Sequence, residues 1–165
     1  MDAYLDIETT GFIGGYSYPT VVGIAIDFPG DWTVEQLVGE DITPAAIEHV
    51  LEGVTTIYTY NGGSFDLPFL AWKPGIDLRR NFRHQDLMHD CHRANLYGGL
   101  KVVERRLSIK RKLPDVDGRV AVDLWHKYQA GDKAALQTLL EYNLEDVENL
   151  PILRHKLERR GNRRT

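Results

Sequence analysis

The sequence predicts an α/β domain in which helices flank a mixed five-stranded sheet. Segments with alternating or β-branched apolar residues dominate the first part of the chain, and helical spacing of apolar residues dominates the second. Between them, strand-like and helix-like segments alternate, which is typical of α/β folds. The chain has 165 residues, of which 42% are hydrophobic, so we expect one domain with one core.

The chain begins with three predicted strands that are joined by short connections. They cover residues 3–9, 20–26 and 32–38. Short connections favour an antiparallel meander for these three strands.

A helix follows, with Thr43 as its N-cap and Pro44 as its first residue. The fourth strand, residues 54–60, comes after this helix and should therefore lie parallel to the first strand. A fifth strand is expected at residues 82–87. The other predicted helices cover residues 66–72, 90–96, 100–107, 121–130 and 133–150. Pro151 should end or kink the last helix, because its ring clashes with the carbonyl four residues earlier.

Charge is distributed unevenly along a chain whose net charge is −4. Residues 1–72 contain eleven acidic residues and no Lys or Arg, whereas residues 73–165 contain all twenty basic residues. This pattern is compatible with an ordinary solvated surface. It also fits a carboxylate-rich metal centre that faces a phosphate-binding surface. The densest basic stretch contains Arg105, Arg106, Lys110, Arg111 and Lys112.

The sequence also gives expectations about domain limits and location. We expect one domain over residues 1–160 and a basic C-terminal tail over residues 161–165. No apolar stretch approaches the ~20 residues that a membrane span needs, and the N-terminus does not resemble a signal peptide. The single cysteine, Cys91, excludes an internal disulfide. These features indicate a cytoplasmic protein without a membrane partner.

Two acidic residues of the first strand, Asp6 and Glu8, are predicted to form part of a metal site. Their spacing of two residues places both side chains on the same face of the strand. Leu5 and Ile7 indicate that the strand is buried, where unpaired charges are costly. Adjacent carboxylates repel each other, and Mg²⁺ or Mn²⁺ relieves this repulsion because both ions prefer oxygen ligands.

Two further segments carry acids at informative positions. The first, Asn61-Gly-Gly-Ser-Phe-Asp66, lies where a strand ends and a helix begins, at the edge of the sheet where ligands bind in α/β folds. Asp66 is also compatible with a simple helix N-cap. The second contains Tyr142 and Asp146, which share one face of the last helix because they are four residues apart.

Together these segments resemble the three exonuclease motifs of the DEDD family in the RNase H-like superfamily. LDIETTG, NGGSFD and YNLED correspond to the motifs Asp-x-Glu, Asn-x-x-x-Phe-Asp and Tyr-x-x-x-Asp. The tyrosine four residues before the last aspartate is typical of the DEDDy subgroup of 3′→5′ exonucleases. YNGGSFDLPFL, DLMH, WHKYQAGD and YNLEDVENLPIL further resemble the YprB-like predicted exonuclease branch, some members of which are fused to helicases.

The resemblance implies an RNase H-like fold, hydrolysis of nucleic acid and two Mg²⁺ or Mn²⁺ ions bound by four acids. In that arrangement Asp6 contacts both ions, Glu8 and Asp146 hold one, and Asp66 helps to hold the other. Tyr142 orients the attacking water, since its ordinary pKa near 10 makes it a poor base. The residues expected to contact the terminal nucleotide are Thr9, Thr10, Gly11, Phe12, Asn61 and Phe65.

Two other functions remain open at this stage. One is an RNase H-like module that binds DNA, RNA or a helicase partner with little turnover. The other is a structure-specific endonuclease with the same metal centre, because loops rather than motif residues decide which nucleic-acid structure enters. Asp86, near the end of the fifth predicted strand, is compatible with a fifth acid near the site, but a structural role, pairing with His84 or a backbone amide, is expected.

Overall fold

A computed structural model describes residues 1–28 and 31–161 of the chain. It contains a five-stranded sheet of order β3-β2-β1-β4-β5. The strands are β1 (Asp2–Thr9), β2 (Pro19–Phe28), β3 (Asp31–Val38), β4 (Thr56–Thr59) and β5 (Arg83–Asp86). The α-helices are α1 (Pro44–Val50), α2 (Asp66–Trp72), α3 (Leu87–Arg93), α4 (Leu100–Arg106), α5 (Gly118–Gln129) and α6 (Lys133–Gly161). The predicted α/β fold with a mixed five-stranded sheet is confirmed.

The strand directions also agree with the sequence analysis. β1 pairs antiparallel with β2, which pairs antiparallel with β3, so the first three strands form a meander. β4 pairs parallel with the other edge of β1, and β5 pairs parallel with β4. The connection from β3 to β4 contains α1, whose N-cap Thr43 accepts a hydrogen bond from the amide of Ala46. This helix lets the chain cross over and enter β4 parallel to β1.

The side chains of β1 point alternately to the two faces of the sheet, and each face packs against a different apolar core. Leu5 and Ile7 belong to the core that contains Ile47 of α1 and Leu67 of α2. Tyr4, on the opposite face, belongs to the core formed with the buried residues of α3, α4 and α6. The even-numbered residues of β1 therefore point toward the long helix α6.

The prediction that the last helix ends at Pro151 is wrong. α6 continues as one helix from Lys133 to Gly161. Proline removes one backbone hydrogen bond, but residues beyond it form strong tertiary contacts. Leu153 is fully buried in the core, and Arg154 donates a hydrogen bond to Asp2 at 2.6 Å. These contacts offset the loss and hold the last three turns on the sheet.

Other differences lie at element boundaries. The helix predicted at residues 90–96 begins at Leu87, because Asp86 caps it by accepting a hydrogen bond from the amide of Met88. Of the predicted tail, Gly161 is the last residue of α6, and residues 162–165 lie outside the described residues. Within the described part of the chain, no helix has both the length and the apolar character required to cross a bilayer.

Candidate metal centre

Three carboxylates converge where β1 meets α6. Asp6 and Glu8 lie on the face of β1 that is opposite to Leu5, and Asp146 projects from α6. One carboxylate oxygen from each of the three acids lies within 4.8 Å of the other two. Three oxygen donors at this separation suit a hard divalent cation such as Mg²⁺ or Mn²⁺.

α6 approaches the sheet closely at Gly23, which is the partner of Asp6 on β2. A Cβ atom built on Gly23 would overlap Oδ1 of Asn143 and lie 3.1 Å from Cγ1 of Val147. The glycine therefore allows this helix to lie directly on the strands. Asp146, in the same turn of α6 as Asn143, is carried into the cluster by this close packing.

Asn143 fixes the position of the Asp6 side chain. Its Nδ2 atom donates a hydrogen bond to Oδ2 of Asp6 at 3.2 Å and to the Asp6 carbonyl at 3.3 Å. Gln36 of β3 in turn donates from Nε2 to Oδ1 of Asn143 at 2.9 Å and to the carbonyl of Leu140 at 2.9 Å. The hydrogen-bonded side-chain amides of Gln36 and Asn143 thus orient the carboxylate of Asp6 on the central strand.

Asp66, at the start of α2, lines the same cavity. It is the first residue of α2, where Phe65 takes the N-cap position, so the simple N-cap interpretation is wrong. Its Oδ1 atom accepts a hydrogen bond from the amide of Ile7 at 3.1 Å. Asp66 lines one cavity with Asp6 and Glu8, although it is outside the group of three acids whose oxygens lie within 4.8 Å.

Burial is the largest cause that raises the pKa values of all four acids. Burial, followed by the charge of Asp146, raises the pKa values of Asp6 and Glu8 well above their usual range. The pKa of Asp66 rises to about 7, mainly through burial. Burial also raises the pKa of Asp146 to about 6, although Arg111 opposes the shift. Acids that resist ionisation in this way are those that a nearby cation would stabilise most.

The basic stretch predicted from the sequence does not form one phosphate-binding surface, because Arg111 turns inward. Its side chain is 6% exposed and contacts Glu104, Glu145 and Asp146. Nη1 of Arg111 donates to Oε2 of Glu104 at 2.6 Å, and Nη2 donates to Oδ1 of Asp146. A guanidinium group satisfies several carboxylates at once, which explains why this cation is buried. The other four residues of the stretch are exposed: Arg105, Arg106, Lys110 and Lys112.

Tyr142 lies one helical turn before Asp146 and lines the same cavity. Burial raises the pKa of its hydroxyl far above the usual value, and the charges of Asp146 and Glu8 raise it further. The phenol therefore keeps its proton at neutral pH. Two cations lie near its ring, with Nζ of Lys101 at 5.0 Å and Cζ of Arg111 at 5.7 Å from the centroid.

The six residues predicted to contact a nucleotide occupy three kinds of position. Thr9, Asn61 and Phe65 line the cavity with the acids. Phe12 is 86% exposed beside it, and its ring packs edge-on against Phe65 with 6.3 Å between centroids. The two remaining residues, Thr10 and Gly11, do not line the cavity. The Thr10 hydroxyl accepts a hydrogen bond from the amide of Tyr18 and so holds the loop that carries Phe12.

Asp86 supports the loop between β4 and α2. Its carboxylate accepts hydrogen bonds from the amides of Asn61 at 2.8 Å and Gly63 at 3.1 Å. The proposed contact with backbone amides is confirmed, whereas His84 contacts the hydroxyl of Thr59 at 2.9 Å. Asp86 thereby places Asn61 at the cavity and has a structural role.

Sequence reasoning missed Asn143 and Arg111 as parts of this site. Asn143 lies within the YNLED motif and next to Tyr142, on a helix whose apolar side faces the sheet. A polar residue at such a position was a usable signal, because buried amides require partners. Arg111 had no comparable signal, since its neighbours in the chain are exposed cations and two of its three partners, Glu145 and Asp146, are distant in sequence.

The family to which this chain belongs is shown by its match to a family model. The RNase_H_2 model of the RNase_H superfamily matches residues 3–158. The chain belongs to this family. No curated protein matches the sequence.

Several solved structures share the RNase H-like fold of this chain. A nuclease in its apo form is 20% identical, with a TM-score of 0.65 over 98% of this chain and 73% of that one. Brucella melitensis NrnC with bound Mg²⁺ is 24% identical, with a TM-score of 0.66 over 98% and 74% of the chains. NrnC has also been solved bound to pGG.

A family B DNA polymerase from the hyperthermophilic archaeon Pyrobaculum calidifontis has a TM-score of 0.71 with this chain. The sequences are 18% identical, and the match covers 94% of this chain but only 24% of the polymerase. The likeness is therefore to one part of a much longer protein. At these levels of identity, the solved structures establish the fold and not the activity of this RNase H-like domain.

Proposed function

We propose that this RNase H-like domain is a metal-dependent 3′→5′ exonuclease of the DEDDy subgroup and of its YprB-like branch. The observation that carries the proposal is the cluster of Asp6, Glu8 and Asp146 oxygens within 4.8 Å of one another. Tyr142 lies in the same cavity, as the subgroup requires. We propose that the protein acts in the cytoplasm, where its buried cysteine, Cys91, remains a thiol.

The donor set fits divalent cations. All the candidate ligands are carboxylates, which Mg²⁺ and Mn²⁺ prefer, and no histidine or cysteine lies among the residues that line the cavity. Burial makes the negative charges of the four acids unfavourable, as their raised pKa values indicate, even though Arg111 lies beside Asp146. We propose that Asp6, Glu8 and Asp146 hold one ion, and that Asp6 with Asp66 holds a second.

Individual residues of this chain then have different roles in the reaction. Two such cations, when bound, neutralise charge on the scissile phosphate and favour ionisation of a water. Tyr142 keeps its proton and so serves as a hydrogen-bond donor that positions the water, rather than as a base. Asn143 holds the Asp6 carboxylate in one orientation through the 3.2 Å hydrogen bond. Little else is required of the protein, because phosphate hydrolysis depends mostly on positioning and charge.

The substrate proposed is the 3′ end of single-stranded or frayed DNA or RNA. Phe12 and Phe65 form an aromatic pair beside the acids, and an exposed ring of this kind stacks on a terminal base. NrnC, a structural neighbour, binds the short nucleic acid pGG and Mg²⁺, which supports the same classes of ligand here.

The decisive experiment is incubation with Mg²⁺ or Mn²⁺ and 5′-labelled oligonucleotides of DNA and RNA. We expect a ladder of products that shorten from the 3′ end, and no products when the 3′ end is blocked. Asp6→Asn and Asp146→Asn should abolish the ladder. Glu141→Gln, which removes an exposed charge from the same helix, should leave it unchanged.

The other outcomes identify the rival functions. Cleavage of circular single strands would indicate an endonuclease that uses the same acids. Binding of an oligonucleotide or of a helicase, without cleavage under any metal condition, would indicate a binding module. Cleavage that persists in the Asp146→Asn protein would exclude the proposed centre altogether.

A further inference from the structure

A basic surface lies far from the acidic cluster. A groove between the end of α4 and the end of α6 is lined by Arg106, Leu107, Ser108, Lys156, Arg159 and Arg160. Four of these six residues are cations and none is acidic. We call this surface the basic groove.

The cations of the basic groove have no ionic partners in the part of the chain that the structure describes. No carboxylate within residues 1–28 and 31–161 lies within 4.0 Å of a charged nitrogen of Arg106, Lys156, Arg159 or Arg160. This contrasts with Arg154, on the same helix, which pairs with Asp2 and Glu158. In a protein with a net charge of −4, four adjacent unpaired cations create a local positive field that attracts an anion.

The position of the groove relative to the acids follows from α6. Asp146 lies at the metal centre, and Lys156 and Arg160 come ten and fourteen residues later on the same helix. At 1.5 Å per residue, the groove is about 15–20 Å from Asp146 along the helix axis. Arg154 contacts Asp2 at the beginning of β1, whereas Glu8 is near the end of that strand. The two sites therefore lie toward opposite ends of β1.

We propose that the basic groove binds the phosphodiester backbone of a nucleic-acid strand whose 3′ end occupies the acidic cavity. The inference rests on the proposed exonuclease function and adds to it a second contact with the same substrate. A stacked strand rises about 3.4 Å per nucleotide and an extended single strand rises more, so at most about six nucleotides separate the two contacts. Long substrates reach the groove, and a dinucleotide does not.

The test compares Arg106→Gln/Lys156→Gln with Lys127→Gln/Lys133→Gln, a control that removes two exposed cations elsewhere. Each protein is assayed on a dinucleotide and on a 12-nucleotide single strand over a range of salt concentrations. We expect the groove variant to have a raised KM for the 12-mer. We also expect the slope of log binding constant against log salt to become shallower by about 1.4, the value for two lost phosphate contacts on a single strand.

Dinucleotide hydrolysis should be unchanged in both variants, and the control should match the wild type on both substrates. An unchanged 12-mer KM and salt slope in the groove variant would overturn the proposal. So would an equal loss of activity on the dinucleotide, because that result would place the effect at the acidic cavity or in the fold.

The two proposals fail in different ways. If the wild type cleaves neither substrate, the exonuclease function is wrong, and the groove is then tested by fluorescence anisotropy with a labelled 12-mer. Weaker and less salt-dependent binding by the groove variant than by the control variant would still support the groove. Equal binding by both variants would overturn it independently of catalysis.

Discussion

Arg111 donates a hydrogen bond to Asp146 and so places a buried positive charge beside the acidic cluster. The same guanidinium contacts Glu104 at 2.6 Å and Glu145 at 3.3 Å. Asn149 donates to the other oxygen of Glu104 at 2.9 Å. The arginine thus neutralises part of a carboxylate cluster that extends behind the candidate metal centre, and it holds α4 and α6 to the segment between α4 and α5.

Arg111→Met should destabilise the protein by about 3–5 kcal/mol, because it leaves buried carboxylates without their partner. Urea unfolding measured by circular dichroism would give this value. The matched control is Arg80→Met, which breaks an ion pair with Asp77 whose two side chains are 82% and 41% exposed, and which we expect to be much less costly. Equal losses in the two variants would show that burial of Arg111 has no special energetic role.

The raised pKa values predict that the metal-free protein loses stability as pH rises. The pKa of Asp66 is about 7 in the folded state and near 3.8 when exposed, so the folded state retains a proton that the unfolded state releases. The contribution of Asp66 to the free energy of unfolding is fully present below pH ~4 and is lost as the pH rises to ~7. Asp146, with a folded pKa of about 6, changes in the same direction over a narrower range.

Asp66→Asn should therefore raise the free energy of unfolding of the metal-free protein at pH 8 by about 4 kcal/mol, at about 1.4 kcal/mol for each unit of the pKa difference, while having little effect at pH 4. The asparagine keeps an oxygen that accepts the hydrogen bond from Ile7. Unfolding is measured in EDTA at both pH values, with Asp123→Asn, an exposed site, as the control. A variant less stable than the wild type at pH 8 would contradict the prediction.

Added Mn²⁺ should stabilise the wild-type protein through the acidic cluster. At pH 8, millimolar Mn²⁺ should raise the thermal midpoint of the wild type by several degrees, because ligand binding to the folded state stabilises it. Asp6→Asn should show a much smaller rise, since Asp6 contributes an oxygen to the acidic cluster. Differential scanning fluorimetry measures both shifts. Identical shifts in the two proteins would place the Mn²⁺ site elsewhere.

The sequence predicted the order of the elements along the chain, the antiparallel meander of the first three strands and the parallel direction of the fourth, because each depends on local signals. Strand alternation placed Asp6 and Glu8 on one face, and the four-residue spacing placed Tyr142 with Asp146. What the sequence could not provide was contact between elements far apart in the chain. The close approach of α6 at Gly23, the amide pair of Gln36 and Asn143, and the inward turn of Arg111 all depend on tertiary packing.

The position at which the last helix ends also depends on tertiary contacts that the sequence does not reveal. Pro151 is a strong local signal against continuation. The burial of Leu153 and the contact of Arg154 with Asp2 override it. Both depend on where the beginning of β1 lies relative to α6, which no local pattern specifies.

Gly23→Ala should reduce activity even though Gly23 is not at the acidic cavity. The added methyl would overlap the Asn143 side chain and lie 3.0 Å from its Cγ, which displaces the amide that holds Asp6. We expect a loss of about 1–3 kcal/mol of stability from overpacking and at least a tenfold fall in kcat. Gly99→Ala is the control, because a Cβ there meets no atom within 4 Å. Full activity in the Gly23 variant would show that the Asn143–Asp6 contact is dispensable.

Tyr142→Phe isolates the role of one hydroxyl. The ring is buried and packs in the core with Leu139 and Trp125, so removal of one oxygen should preserve both the fold and the apolar contacts. Because the raised pKa keeps the hydroxyl protonated, it acts as a donor that orients the attacking water, and its loss should lower kcat by about 10–100-fold. KM and Mn²⁺ affinity should change less than kcat, since the four carboxylates that would hold the ions all remain. Tyr128→Phe, on α5, provides the control in steady-state assays on a 3′-ended oligonucleotide. An unchanged kcat would remove Tyr142 from the reaction, and a parallel loss of Mn²⁺ affinity would show that the tyrosine supports the acids rather than the water.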